Sequence, residues 1–174
     1  IVVILDDGNT TDEVYDVIDK FKNDISCYSH PLNNNFAAQK NFMTLQCKGQ
    51  WIFNIDADEL PSENLLQTVN SLIWANPECE TYLLPRVNTV EGLTREHIDK
   101  WRWKVNKKGW INWPDFQMRI YRNIPQRIKW VRPVHEILEG YKTYTTLPDD
   151  EVFCLYHPKE IKKQEKQNKM YEKL

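Results

Sequence analysis

Apolar residues fall along the chain in short blocks whose period switches between strand-like and helix-like spacing. Residues 1–5 are all apolar, Ile-Val-Val-Ile-Leu, and run into Asp6-Asp7-Gly8, which reads as a fully buried strand entering a turn. Thr10-Thr11-Asp12-Glu13 then fits a capping box, with Val14, Val17, Ile18 and Phe21 at helical spacing behind it. Residues 25–29 predict a short strand, and Asn33-Asn34-Asn35 a turn or helix cap. Residues 36–48 read as a helix with Gly49 as its C′ residue. Residues 51–55 predict another buried strand, ending in Asp56-Ala57-Asp58-Glu59. Pro61 and Ser62 open a helix carrying Leu65, Leu66, Val69, Leu72 and Ile73, closed by Asn76-Pro77. Residues 81–90 predict a strand. Strands alternating with helices argue an α/β domain with a largely parallel sheet. In such sheets ligands bind beyond the carboxyl ends of the strands. Both acidic clusters, Asp6-Asp7 and Asp56-x-Asp58-Glu59, are predicted there, on one edge.

The second half changes character. From 86 to 132 there are twelve Lys or Arg against four Asp or Glu, a local net of +8. The same stretch holds five of the seven tryptophans: Trp101, Trp103, Trp110, Trp113 and Trp130. Strand-like runs occupy 116–122 and 127–131, and 158–174 reads as a Lys/Glu-rich helix. No internal repeat, low-complexity tract or linker divides the chain, so 1–174 is expected to be one domain.

Composition narrows the classes. With 41% apolar residues, 28% charged and a formal net charge of −2, the chain is neither disordered nor fibrous. Only five glycines occur, the closest pair seventeen residues apart, so no glycine-rich phosphate loop exists. No apolar run reaches the about eighteen residues of a membrane helix, which leaves at most peripheral membrane contact. No signal-peptide pattern opens the sequence. Four scattered cysteines without a C-x-x-C suggest buried free thiols and a cytoplasmic location. The chain begins inside a strand and without Met, so an earlier piece is expected to be missing.

Asp56-Ala57-Asp58 is the sharpest chemical feature. Two carboxylates at i and i+2 on an irregular turn can converge on one divalent cation, and Mg²⁺ prefers one or two carboxylates with waters and phosphate oxygens. A metal would then meet the phosphates in place of a glycine loop. The competing reading is a solvated acidic turn capping the next helix.

Here the chain resembles a known family. Leu5-Asp6-Asp7-Gly8-Asn9-Thr10, Phe36-Ala37-Ala38-Gln39-Lys40-Asn41-Phe42 and the run from Gly49 to Pro61 are similar in order and spacing to family-2 glycosyltransferases with the GT-A fold. Phe116-Gln117-Met118-Arg119-Ile120-Tyr121-Arg122, Val134-His135-Glu136 and the late His157 are similar to a subgroup that glycosylates bacterial surface polysaccharides, lipopolysaccharide cores or peptides. The resemblance implies a single mixed sheet flanked by helices, lacking the family's first strand and helix. It also implies a nucleotide-sugar-binding half over 1–90, an acceptor-side half over 91–157 and a C-terminal helix over 158–174.

The resemblance implies roles too. Asp7 would accept a hydrogen bond from the donor's nucleobase, Asp56 would contact its ribose or phosphate side, and Lys40 would face the nucleotide. Asp58 would ligate Mn²⁺ or Mg²⁺ on the diphosphate of a UDP- or similar donor. An inverting transfer needs a base for the acceptor hydroxyl: Glu136 is the first choice, Asp115 the second. Glu136 could equally be a surface carboxylate paired with Arg132. His135 would ligate the metal or orient the base, and His157 is weighed alike. Strand periodicity sets Arg119 and Arg122 on opposite faces, one reaching phosphate or sugar or both solvated. Trp110 and Trp113, in a loop, would form a platform for a saccharide or glycoconjugate acceptor, with two or three of the five tryptophans in the core. The alternative function is a non-catalytic carbohydrate-binding or structural module. Nucleic acid is not expected as a partner, because acidic turns oppose a phosphate backbone and no standard motif occurs.

Overall fold

A computed structural model describes residues 1–171; the end of the expected C-terminal helix, 172–174, lies outside the described residues. In chain order the elements are β1 (Val2–Asp6), α1 (Asp12–Lys20), β2 (Ser26–His30), α2 (Phe36–Gln46), β3 (Trp51–Phe53), β4 (Leu60–Pro61), α3 (Glu63–Ala75), β5 (Thr81–Glu91), α4 (Arg95–Trp101), β6 (Ile111–Arg122), β7 (Lys129–Val131), β8 (Ile137–Glu139), β9 (Tyr144–Thr146), β10 (Leu155–Glu160) and α5 (Ile161–Tyr171). They fall into two compact units, each drawn from two stretches of chain: Ile1–Ile52 with Arg122–Tyr141, and Phe53–Tyr121 with 142 onward.

In the first unit β1 and β2 pair in parallel, from Val2 opposite Ser26 to Asp6 opposite His30. Asp6 closes the turn after β1: its carboxylate accepts from the Leu32 amide at 2.9 Å and from Asn9 Nδ2 at 2.8 Å. Gly8 at φ +82° supplies the left-handed residue that turn needs. The helix after it departs from expectation. Thr11 makes no side-chain cap bond, so the capping box does not form. The apolar stripe of α1 is present but faces outward, with Val14, Val17 and Phe21 exposed and no residue buried. In α2, Asn35 caps the start by accepting from the Ala38 amide at 2.9 Å. Its end differs too: the helix stops at Gln46, and Gly49 is not its C′ residue. Asn123 Nδ2 instead donates to the Cys47 and Gly49 carbonyls at 2.9 and 2.8 Å, which satisfies that end without a left-handed glycine. β7 and β8 pair antiparallel, and Asn41 bonds both the amide and the carbonyl of Trp130 on β7.

The second unit carries a sheet in the order β3-β6-β5-β10-β4, with β9 also on β5; β3 enters it at Phe53. β5 is antiparallel to β6 but parallel to β9 and β10, and β10 is antiparallel to β4. The sheet is therefore mixed, not largely parallel, because strands from the second half of the sequence flank β5. Within β6, Arg119, Ile120 and Tyr121 are buried in succession, which erases the alternation read from the sequence: both faces of this strand are covered. Ser62 caps α3 by accepting from the Leu65 amide at 3.2 Å. Four elements of this unit were not foreseen: the short strands β4 and β9, the helix α4 and the strand β10. α4 has only Ile98 and Trp101 as apolar points, and its start is a capping box between Thr94 and His97. β10 takes residues 158–160 from the expected helix. Pro158 is tolerated there because β4 pairs only with Leu155 and Tyr156, so the strand is single-sided at the proline. Leu65, Leu84, Tyr82, Tyr121, Cys154 and Leu155 form the centre of this unit's core. Of the four cysteines, only Cys79 and Cys154 are buried; Cys27 is exposed.

Candidate active site

The acidic turn after β3 is held by the sheet itself. The Asn54 amide donates to the Arg119 carbonyl at 2.8 Å, and the Glu59 amide closes the turn onto the Asp56 carbonyl at 2.9 Å. Glu59, the last acid of the cluster, points inward and its side chain has no solvent exposure. A buried carboxylate is tolerable only when paired. Arg119 supplies two bonds, Nε at 2.8 Å and a terminal nitrogen at 2.6 Å, and Arg86 a third at 2.9 Å. The same Arg119 nitrogen lies 2.7 Å from Asp56 Oδ2. At 3% exposure Arg119 is not a solvated strand residue.

Asp58 turns the other way. Its Oδ2 lies 3.4 Å from His157 Nε2, 3.5 Å from Lys163 Nζ and 3.9 Å from Lys159 Nζ. The hydrogen bond from His157 holds the Asp58 carboxyl well below the usual carboxylate range against the opposing effect of burial, and the charges of His157, Lys159 and Lys163 add to it. Burial pushes the Lys159 ammonium down, opposed by Asp58. The two carboxylates of the D-x-D thus meet different partners. Among the described residues no group of three or more His, Cys, Asp or Glu side chains is arranged to hold a metal.

Asp115 stands on β6 opposite Arg86. Its Oδ2 accepts from Arg86 at 3.0 and 2.7 Å and from Asn88 Nδ2 at 2.8 Å, and its Oδ1 accepts from Gln117 at 2.8 Å. Burial would raise this carboxyl, but the Arg86 charge and these hydrogen bonds outweigh it and hold it low. Asn88 also meets His157, Oδ1 to Nδ1, at 2.7 Å. The histidine that reaches Asp58 is therefore His157, delivered by β10 in register with Asn88. Its signal in the sequence was the strand alternation of Leu155, His157 and Lys159, hidden by Pro158.

Trp110 and Trp113 lie in this unit, half-buried, with ring centroids 4.8 Å apart. They line a cleft of about 480 Å³ together with Lys107, Lys108 and the acidic run Asp149, Asp150 and Glu151. Lys108 Nζ sits 4.3 Å from the Trp110 ring centroid and 3.0 Å from Glu151. Neither indole is packed into the core. Of the five tryptophans between 86 and 132 only Trp130 is buried, fewer than expected.

In the first unit Asp7 is exposed just beyond β1. Lys40 is buried at 7% exposure, its Nζ 2.6 Å from Glu136 Oε1 and 4.6 Å from the Trp130 ring centroid. The partner of Glu136 is thus Lys40. His135 is exposed in the turn before β8, in the left-handed region at φ +54°.

Among the described residues no helix is long and apolar enough to cross a membrane. Among curated proteins, none matches the sequence. The family model described as Glycosyl transferase family 2 matches residues 2–132, a span that takes in β1, the acidic turn and all of β6. The mixed α/β architecture of sheet and flanking helices agrees with the GT-A fold. Matched over well more than half its length, the chain belongs to glycosyltransferase family 2.

Proposed function

We propose that the protein moves a sugar from a nucleoside-diphosphate donor to an acceptor hydroxyl with inversion, assisted by Mn²⁺ or Mg²⁺ bound through Asp58. Family membership supports glycosyl transfer in general; the observation that carries the metal is the pairing of Asp58 with His157. An oxygen and an imidazole nitrogen are donors that fit one divalent cation, with waters and diphosphate oxygens completing its shell. Bound there, the ion would offset charge developing on the leaving diphosphate. Lys159 and Lys163, beside the same carboxylate, add positive potential for that diphosphate.

Roles for the other residues follow the chemistry. Asp7 takes the nucleobase, and Asp56 the ribose, with Arg119 and Glu59 fixing its carboxylate. Trp110 and Trp113 offer stacking surface to the acceptor. Glu136 takes the proton from the acceptor hydroxyl, with Lys40 as the group that orients it. Asp115 suits the base role less, since four donors already occupy its two oxygens.

A second reading rests on the three basic groups around Asp58. Lys159, Lys163 and His157 could meet the diphosphate directly, with Asp58 only ordering them. One experiment separates these readings. Transfer and hydrolysis of a panel of nucleotide sugars are followed with Mn²⁺ and with a chelator, for the wild type and Asp58→Ala. The metal reading expects chelator sensitivity and loss of turnover in the variant with its circular dichroism unchanged. Full activity in Asp58→Ala would sink it. Chelator-resistant activity would favour the lysines, and no turnover of any donor would favour a non-catalytic module.

A further inference from the structure

The cations of the second unit are gathered in two stretches. Residues 95–108 hold six Lys or Arg against two Asp or Glu, and residues 159–169 five against two, in a chain whose net charge is −2. The two stretches meet in space. Glu165 on α5 lies 3.5 Å from His97 on α4. A Cβ on Gly92 would lie 3.0 Å from Ile161 Cγ2, so the turn before α4 packs on the start of α5.

α5 divides its lysines between faces. Lys163 turns to Asp58, at 3.5 Å. Lys162, Lys166 and Lys169, at i, i+4 and i+7, share another face. That stripe is exposed, and none of its lysines has an ion-pair partner among the described residues. Glu165 borders it, three residues from Lys162 and four from Lys169, and joins it through His97 to α4.

A row of rings continues from there. His97 stacks on Trp101 with centroids 5.0 Å apart, and Trp101 meets Trp103 at 4.6 Å. Both indoles are half-buried. The segment that carries them is fixed: the Trp103 amide donates to the Ile98 carbonyl at 3.0 Å, and Asn112 on β6 bonds the Lys104 amide and carbonyl at 3.0 and 2.7 Å. Arg102 and Lys104, on either side of Trp103 in sequence, are exposed and also lack an ion-pair partner among the described residues.

We propose that the lysine stripe of α5 and the corner holding Trp101 and Trp103 form a docking surface for an anionic lipid bilayer. The cations meet headgroup phosphates, and the indoles rest at headgroup level, where Trp is favoured. The rest of the chain carries the acid excess, so an anionic surface favours this contact over others. A single-stranded nucleic acid would need free ring faces for its bases. Here the rings stack on one another, which occupies that surface.

The test uses the full chain with vesicles of phosphatidylcholine alone and of phosphatidylcholine mixed with phosphatidylserine, binding being read by co-sedimentation. The wild type should bind only the anionic vesicles, and less tightly as salt rises. Each basic residue near such a surface is worth about fivefold in affinity, so the triple variant Lys162→Glu, Lys166→Glu, Lys169→Glu should bind at least about a hundredfold more weakly. Glutamate matches lysine in helix propensity, so its circular dichroism should be unchanged. Should that helix fray, Arg102→Gln with Lys104→Gln, outside α5, should still cost about twentyfold. Trp103→Ala should weaken binding but keep its salt dependence, since it removes apolar contact and no charge. The variant Lys20→Glu, Lys22→Glu, Lys48→Glu makes the same change of net charge in the first unit and should lose far less. Binding to neither composition, equal affinity for both, or an α5 variant that binds no worse than the first-unit one would overturn the assignment. Preference for a single-stranded DNA oligonucleotide over the anionic vesicles would overturn it too, in favour of nucleic acid. No nucleotide sugar or metal enters the measurement, so its outcome is independent of the glycosyl-transfer reading.

Discussion

Glu59 and Arg119 are joined by two hydrogen bonds, at 2.8 and 2.6 Å, with the carboxylate wholly shielded from water. This pair ties the acidic turn to β6, so the turn's geometry and the unit's stability share one anchor. Removing one partner of a buried pair costs about 3–5 kcal/mol, because the other charge is left unpaired. Glu59→Gln should lose stability of that order in denaturant unfolding. A loss below about 1 kcal/mol, the range of surface pairs, would mean the interaction is no anchor.

Acid should weaken the second unit through Asp115. Its folded pKa lies below the unfolded value of about 3.9, so its contribution is present above that pH and is lost as pH falls through the folded value. Asp115→Asn should therefore be less stable than the wild type at pH 7, and the gap should close toward pH 2. Thermal melts across that window check the sign; a gap that widens in acid would contradict it.

Glu136 is asked to be a base while paired with Lys40. Glu136→Gln should lower kcat by about 10²–10⁴-fold, the usual worth of a positioned base. Lys40→Met keeps the carboxylate but removes its cation and should cost stability, since Lys40 is buried against Trp130. Normal turnover in Glu136→Gln would end the base assignment.

Trp110 should act on the acceptor rather than on the donor. Trp110→Ala should raise KM for the acceptor and leave donor binding unchanged, measured by separate titrations of each. An equal effect on both would point to a general disturbance of the loop that carries Lys108 and leads into β6, where Trp113 lies in the strand rather than in the loop expected of it.

The early strands and helices were legible because their period and caps are local: Asn35 and Ser62 cap the helices expected of them. The capping box over residues 10–13 looked as good in sequence and did not form: the helix has Thr11 at its N-cap with no side-chain bond, and the Thr10 hydroxyl donates to the Asp6 carbonyl instead. The acidic turn was legible as two carboxylates after a strand. What its members face was not, because Arg119, His157 and Lys159 arrive from residues sixty to a hundred positions away. β10 was hidden for a local reason: a proline inside a strand, followed at once by a helix. The partner of Lys40 was hidden by distance as well, for Glu136 lies ninety-six residues on.

β10 sits between β5 and β4 and brings His157 and Lys159 to Asp58 from far along the chain. The D-x-D turn itself is local, but the basic groups beside it arrive only when that strand docks between its neighbours. Assembly of this part of the site is therefore a long-range event, and the loop-closure entropy of bringing distant segments together is met before any of these contacts form.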